Sequence, residues 1–219
     1  MRHGTADLAR GQQFAVTILI WAVPTIIAIV FHEVMHGMVA RSFGDETAAR
    51  AGRLTFNPIR HIDPFGTIAL PALLIFLHLP VFGYAKPVPV NFGRLNPRRF
   101  GMIAVAAAGP LTNFTLAVAS AIAFRITWEN PALNGAAAII PALLRVSVAV
   151  NVMLGVFNLF PLLPLDGGRV LAGLLPQELA RGYARTERYG FVLLFLLLYT
   201  NWFLAMIDGA VGTIMRVLL

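Results

Sequence analysis

The sequence predicts an all-α polytopic membrane protein, a bundle of about four to six transmembrane helices with a short re-entrant or β-hairpin segment. Hydrophobic residues make up 58% of the chain and charged residues only 12%, and the mean hydropathy is +0.76. These values are outside the usual balance of a soluble globular domain. The apolar residues also fall into runs of about 20, the length that an α-helix needs to cross a bilayer.

The apolar runs define a single domain, 1–219, without an internal repeat or a separate soluble part. Spans are expected at about 14–41, 101–126 and 136–175, followed by a C-terminal span at about 189–219. A shorter run at 65–82 contains two prolines and is compatible with either a crossing or a re-entrant segment. The first run is too long for a secretory signal and lacks a small-residue cleavage site, so we expect it to be retained.

The basic residues indicate membrane orientation rather than nucleic-acid binding. The net charge is +7, but the 17 basic residues are dispersed among the loops, with no aromatic-interleaved patch. If the 65–82 run is re-entrant, twelve of them lie on the side where the first span ends. The positive-inside bias then makes that side the cytoplasm, whereas a full crossing by this run would largely remove the bias.

A metal-binding pattern, His32-Glu33-Val34-Met35-His36, lies at the end of the first apolar run. A lipid-facing helix should carry no ionisable side chain there, so three in one turn indicate a functional site. Because positions four apart share a helix face, both imidazoles can bind one zinc ion while Glu33 contacts metal-bound water. The chain has no cysteine, which leaves His, Asp and Glu as candidate ligands.

Asp166 is the strongest candidate for a third ligand, because a catalytic zinc usually takes three protein ligands. It ends a proline-broken apolar segment, Asn158-Leu-Phe-Pro-Leu-Leu-Pro-Leu-Asp166, and is followed by Gly167-Gly168. The prolines stop a regular helix, so the chain can turn the Asp inward, and the glycines allow close backbone approach. The alternative for Asp166 is a helix cap. His61 is a rival ligand, although its polar loop favours a structural histidine.

The segment Gly52-Arg53-Leu54-Thr55-Phe56-Asn57-Pro58 alternates in polarity and ends in a turn signal. This pattern predicts a short strand or hairpin beside the pentad. Irregular backbone at membrane depth must be covered by protein or by a wet cavity, so a hydrated pocket is expected there.

Together, the pentad and the later Asn-x-x-Pro-x-x-Pro-Leu-Asp-Gly-Gly pattern resemble the site-2 protease family (peptidase family M50) of intramembrane zinc metalloproteases. Ala108-Gly109-Pro110-Leu111-Thr112-Asn113 is similar to that family's Gly-x-x-x-Asn motif. The resemblance implies one catalytic zinc held by His32, His36 and Asp166, with Glu33 as the base. It also implies that Asn158 binds substrate or the oxyanion and that Asn113 supports the site. The chain departs from larger members in having no recognisable PDZ or CBS domain.

The resemblance implies endoproteolysis in or near transmembrane segments, with a single-span regulator such as an anti-sigma factor as substrate. It also implies a multi-pass protein of the bacterial inner membrane, with its active site toward the cytoplasm. An unwound substrate would pair with the predicted strand, which makes Leu54 and Phe56 candidate substrate-binding residues. Three alternatives stay open: a different membrane peptide as substrate, a metal-binding transporter or channel, and an inactive relative that binds membrane proteins.

Overall fold

The computed structural model describes residues 2–78, 85–128, 130 and 138–219. Within these ranges the regular structure is helical, and no β-strand is found there. The nine α-helices of these ranges are α1 (Arg2–Ser42), α2 (Thr47–Arg50), α3 (Leu70–Phe76), α4 (Arg98–Trp128), α5 (Ile139–Asn158), α6 (Asp166–Leu174), α7 (Gln177–Ala184), α8 (Gly190–Leu198) and α9 (Asn201–Leu218).

Among the described residues, three helical segments are long and apolar enough to cross a membrane, namely Gln13–Ser42, Arg98–Trp128 and Ile139–Asn158. A fourth is added if the pair Gln177–Leu198 and Asn201–Leu218, bent by 84°, counts as one span. The prediction of an all-α polytopic membrane protein is therefore confirmed. The structure gives three or four spans where the sequence predicted about four to six.

The long helices run antiparallel, and two contacts identify the ends of the bundle. At end A, where α1 ends and α4 begins, the N–H of Asn96 donates to the carbonyl of Phe43 at 2.9 Å. At end B, the guanidinium of Arg125 donates to the carbonyl of Val217 at 3.4 Å, which joins the last turns of α4 and α9. Since α9 also packs along α5, it crosses from end A to end B.

The backbone just before residue 62 contacts the backbone just after residue 85. The N–H of Lys86 donates to the carbonyl of His61 at 2.9 Å. Between them, a six-residue π-helical turn and α3, of seven residues, form a helix about 20 Å long, too short for a hydrocarbon core of about 30 Å. The described residues on either side of the segment thus lie together, as a re-entrant or hairpin-like course requires. The final part of the predicted 65–82 run, residues 79–82, lies outside the described residues.

The strand predicted from Gly52 to Asn57 is wrong for the part of the chain that the structure describes. Local bonds occupy the backbone groups that a strand ladder would use: the N–H of Arg53 donates to Ala48, and the carbonyl of Thr55 accepts from His61. Leu54 packs against Gly37 of α1, Arg53 is buried beside it, and the described residues hold no strand with which this segment could pair.

The break between α5 and α6 positions Asp166. Helix α5 ends at Asn158, before the two prolines, and Asp166 is the first residue of α6. A Cβ added to Gly167 would lie 2.1 Å from the carbonyl oxygen of Leu159, so only glycine lets α6 pack this closely on the preceding turn. The expected close approach at the Gly-Gly pair is therefore observed.

The far end of α6 is fixed by Arg99, at the start of α4. Its guanidinium donates to the carbonyls of Gly173 at 2.5 Å and Leu174 at 2.8 Å, which are otherwise unsatisfied at a helix C-terminus. Helix α6 is held at both ends, so the carboxylate at its first residue has a fixed position relative to α4.

Candidate active site

Three candidate ligand atoms converge at end A of the bundle. The Nε2 atoms of His32 and His36 lie 3.0 Å apart, and Asp166 Oδ2 lies 3.1 Å from the first and 3.4 Å from the second. Each side chain is at most 15% exposed. The sequence placed the third ligand about 130 residues after the pentad, and the structure brings the two parts together.

Hydrogen bonds at the opposite ring nitrogens set the orientation of both imidazoles. His32 Nδ1 lies 2.6 Å from Asn113 Oδ1, and His36 Nδ1 lies 2.7 Å from the carbonyl oxygen of Val105. Because both oxygens accept, each Nδ1 carries the proton and each Nε2 presents a lone pair. Such partners behind ligating histidines are a regular feature of metal sites.

A local feature of α4 supports this arrangement. Pro110 has no N–H to donate to the carbonyl of Ala106 in the preceding turn, so the regular bonding of α4 is interrupted there. In the same turn, the Val105 carbonyl receives the His36 proton. The carbonyl that orients the second ligand thus lies one residue before the carbonyl that Pro110 leaves without its helical donor.

The donor set fits a cation such as zinc. Asp166 Oδ2 is buried without a hydrogen-bond partner in the described structure, and two nitrogen lone pairs face it. Without a cation among them, these three electron-rich atoms repel one another. In a tetrahedral zinc site with ligand distances near 2.0–2.1 Å, ligand atoms are separated by about 3.3 Å, close to the separations found here.

Gly109 leaves the space that such an ion needs. A Cβ built at this position would lie 2.5 Å from His36 Nε2 and 2.6 Å from His32 Nε2. Any side chain there would enter the region that the three ligand atoms face. Gly109 lies four residues before Asn113, so α4 contributes the open space and the His32 acceptor from one helix face.

Glu33 is placed next to the first ligand by sequence and is held by a residue outside α1. Its Oε2 atom accepts a hydrogen bond from the backbone N–H of Val88 at 2.8 Å. One carboxylate oxygen thus accepts a hydrogen bond from the loop before α4, whereas Oε1 has no hydrogen bond within the described part of the chain. This arrangement suits a carboxylate that accepts a proton from water at the adjacent site.

Asn113 lies behind His32 rather than in contact with a substrate. It is completely buried, and its amide nitrogen donates to Asn151 Oδ1 at 2.9 Å and to the carbonyl of Ala28 at 3.3 Å. Asn151 in turn donates to the Ser147 carbonyl at 2.9 Å. These bonds make Asn113 an orienting residue for His32, and Asn151 extends the same chain of hydrogen bonds into α5.

Replacing Asn151 with leucine should weaken zinc binding without removing a ligand. The amide of Asn113 would lose its acceptor at membrane depth, and the orientation of His32 would become less defined. Outer partners of metal ligands typically change affinity about 10- to 100-fold. Competition with a chromophoric chelator measures the change. Thr213→Val, on the exposed face of α9, is the matched control, and equal affinities for Asn151→Leu and wild type would contradict the expectation.

The remaining predicted site residues lie at the edge of the cluster or apart from it. The Asn158 amide donates to the Leu154 carbonyl at 3.0 Å, one turn back in α5. Leu54 is half-buried against Gly37, and Phe56 is 51% exposed with its ring centroid 4.6 Å from that of Phe31. His61 donates from Nε2 to the Thr55 carbonyl and does not join the three ligands, in line with a structural histidine.

Sequence reasoning missed Gly109 as the open space, Asn151 as an outer partner and Val88 as the donor to Glu33. A signal existed for Asn151, since an amide inside an apolar span is costly unless it is paired. Gly109 belongs to the Gly-x-x-x-Asn motif, but its closeness to both imidazoles depends on how the helices pack. Val88 acts through its backbone N–H, which every residue except proline has, so its residue type gave no signal.

Comparisons with known proteins agree with this site. A family model described as peptidase family M50 matches residues 130–199. YwhC of Bacillus subtilis, whose name describes a zinc metalloprotease, is 34% identical over 177 residues, covering 80% of this chain and 78% of YwhC. Rip2 of Mycobacterium tuberculosis, named in the same way, is 29% identical over 209 residues, covering 91% of this chain and 74% of Rip2. No solved structure matches the chain.

Proposed function

Because the chain belongs to the site-2 protease family of zinc metalloproteases (peptidase family M50), we propose that it hydrolyses peptide bonds in or near the transmembrane segments of other membrane proteins. The observation that carries this proposal is the cluster of His32, His36 and Asp166 within a bundle of membrane-spanning helices. A site built at the end of three such helices acts on chains that reach it through or along the membrane.

Zinc held by the three ligands would lower the pKa of a bound water and polarise the scissile carbonyl. Glu33 then accepts a proton from the attacking water as the new C–O bond forms. The C–N bond breaks when the same carboxyl returns that proton to the amide nitrogen, which leaves as an amine. The Nδ1 protons of His32 and His36 are held by Asn113 and Val105, which leaves each Nε2 lone pair for the metal.

Asn158 is proposed to stabilise the oxyanion. Its amide has a second N–H besides the one that bonds the Leu154 carbonyl, and it lies at the last turn of α5, eight residues before Asp166. Phe56, exposed and stacked on Phe31 one residue before the pentad, is proposed to contact the substrate. Leu54 is proposed to contribute only at the edge of that contact, since it packs against α1.

The proposed substrate is a single-span membrane protein, such as an anti-sigma factor. The purified chain in proteoliposomes, given a single-span substrate, should release two products. Mass spectrometry of their new termini should place the cleaved bond within the substrate's transmembrane segment or beside it. Cleavage confined to soluble peptides, with the membrane-embedded substrate left intact under the same conditions, would contradict the proposal.

Two alternative functions are less well supported. Family membership and a complete donor set argue against a transporter, for which two related halves were expected. An inactive relative would not need the base, whereas Glu33 is present and held beside the first ligand.

We further propose a bacterial inner-membrane location with end A facing the cytoplasm, as the positive-inside bias predicts. Reporter fusions after Arg60 and after Arg94 should then both report the cytoplasm, because the backbone of His61 contacts that of Lys86. A fusion after Trp128, at end B, should report the opposite side and is the internal control. Opposite signals from the first two fusions would contradict the re-entrant topology.

A further inference from the structure

An irregular segment before α4, residues 85–91, lies across α1 at the level of the active site; we call it the strap. Val88, at its centre, is only 6% exposed, and its side chain packs against Gly37, where an added Cβ would lie 2.7 Å from Val88 Cγ1. Gly37 and Glu33 are four residues apart and share a face of α1. The strap therefore lies along the helix face that carries the catalytic carboxylate.

Proline leaves the strap with very few hydrogen-bond donors. In Lys86-Pro87-Val88-Pro89-Val90, only Lys86, Val88 and Val90 have a backbone N–H. The first bonds the His61 carbonyl at 2.9 Å and the second bonds Glu33 Oε2 at 2.8 Å. The third has no hydrogen bond within the described ranges. The two prolines favour an extended backbone, which aims the Val88 N–H at Glu33.

Two charged side chains hold the strap in place. The guanidinium of Arg53, 9% exposed, donates to the carbonyls of Lys86 at 2.7 Å and Pro87 at 3.4 Å. Asp45 accepts from the N–H of Asn91 at 2.6 Å. Burial raises the pKa of Asp45, but hydrogen bonds from Thr47 and Asn91 outweigh burial and lower it, so the carboxylate stays charged.

Arg53 is the more informative of these two residues. A buried guanidinium is costly unless it is paired, and no salt bridge to Arg53 is found among the described residues. Its partners are carbonyl groups of the strap and of Arg60. Through these hydrogen bonds, Arg53 fixes the backbone at Arg60 and at Lys86, and thereby the position of the Val88 N–H.

We propose that the Val88 N–H is the positioning group of the catalytic base, and that Arg53 is a positioning residue that acts through the strap. The N–H holds Glu33 Oε2, so the other carboxylate oxygen, Oε1, is the one presented to water. A free glutamate side chain has three rotatable bonds and would spend most of its time elsewhere. This inference rests on the proposed function, because it takes Glu33 to be the base.

Amide hydrogen exchange tests the contact itself, independently of activity. A peptide spanning 85–90 has only the three exchangeable strap amides after its first residue. In wild type, those of Lys86 and Val88 should be protected. In Glu33→Ala, the Val88 amide should exchange at least 10-fold faster while the Lys86 amide keeps its protection. Unchanged protection of Val88 would overturn the proposal even if the chain proves to be an active protease.

The expected effect on catalysis is tested by comparing the kinetics of two proline variants of the strap. Val88→Pro removes the donor, and we expect kcat to fall about 10- to 100-fold, the scale of a misplaced catalytic group, with KM and zinc content unchanged. Val90→Pro removes an N–H that has no hydrogen-bond partner among the described residues, and it should keep wild-type kcat. Arg53→Gln should lower kcat in the same way, and Arg53→Lys should restore part of the loss.

The outcomes distinguish a failure of the proposed protease function from a failure of the positioning inference. A wild-type chain that cleaves no membrane substrate contradicts the proposed function, and the exchange experiment still decides whether Val88 holds Glu33. If the wild type cleaves and Val88→Pro has wild-type kcat, the positioning inference is wrong while the protease assignment stands. If Val88→Pro loses zinc, Arg53→Gln replaces it in the kinetic comparison, and an unchanged kcat in that variant also overturns the inference.

Discussion

Glu33→Gln should abolish cleavage of a membrane-embedded substrate while leaving the zinc bound. The amide has nearly the shape of the carboxylate and can still accept the Val88 hydrogen bond, but it cannot take a proton from water. General-base catalysis contributes about 10²- to 10⁴-fold, so the rate should fall by at least that range. Product formation in proteoliposomes and zinc content by mass spectrometry of the same preparation measure the two effects.

The matched control is Glu46→Gln, a surface glutamate paired with Arg50 beyond the end of α1. It should keep full activity, because an exposed pair of this kind contributes little to stability. Cleavage by Glu33→Gln at the wild-type rate would show that another group serves as the base. Loss of zinc from this variant would instead give Glu33 a role in metal binding that the three-ligand arrangement does not require.

Gly109→Ala should remove zinc binding altogether, with activity lost as a consequence. The new methyl carbon would lie 2.5 Å from His32 Cε1 and from His36 Nε2, closer than non-bonded atoms approach. Relief would require α4 to move away from α1, and α4 also carries Asn113 and Val105, which orient the imidazoles. Isothermal titration of the metal-free protein with zinc should give no specific heat, against one site in wild type.

Gly212→Ala is the control for the change in helix propensity. It is also a glycine within a helix, on α9, and a Cβ there meets nothing within 4 Å. Alanine favours helix over glycine by about 1 kcal/mol, so this variant should bind zinc normally and unfold at an equal or higher temperature. Normal zinc affinity in Gly109→Ala would show that the ion does not lie in the space between α4 and the two histidines.

The ligand set could be predicted because each part of it is a local pattern. The spacing of His32 and His36 follows from the helical repeat, and the prolines before Asp166 mark the end of a helix in any context. Positive charge in the loops predicted which helix ends share a side, and the structure brings Asp166 to the pentad at that end. Local rules were sufficient here because each residue type has one dominant chemical use.

The parts that could not be predicted depend on which surfaces meet. Gly109 and Asn151 acquire their roles only when α4 packs between α1 and α5. The strand predicted at Gly52–Asn57 was wrong because α1 packs against Leu54 and the described residues hold no strand beside this segment. That residues 61 and 86 lie together depends on a contact between distant backbone groups, those of His61 and Lys86, which composition does not encode.

The site has a simple charge balance. Asp166 belongs to the ligand cluster and Glu33 follows the first ligand in sequence, so with neutral imidazoles two ionised carboxylates would balance one divalent cation. A neutral assembly is the form that the low dielectric at membrane depth tolerates best. Charge neutrality explains why two carboxylates can lie at a depth where a lipid-facing helix would carry none.

X-ray absorption at the zinc edge of the purified protein tests the central claim most directly. One zinc per chain should show two imidazole ligands and further oxygen ligands at about 2.0–2.1 Å. Asp166→Ala should alter this shell, and His61→Ala should leave it unchanged. A chain that binds no zinc, or a shell that loses an imidazole in His61→Ala and is unaffected in Asp166→Ala, would contradict the assignment of His32, His36 and Asp166 as the metal centre.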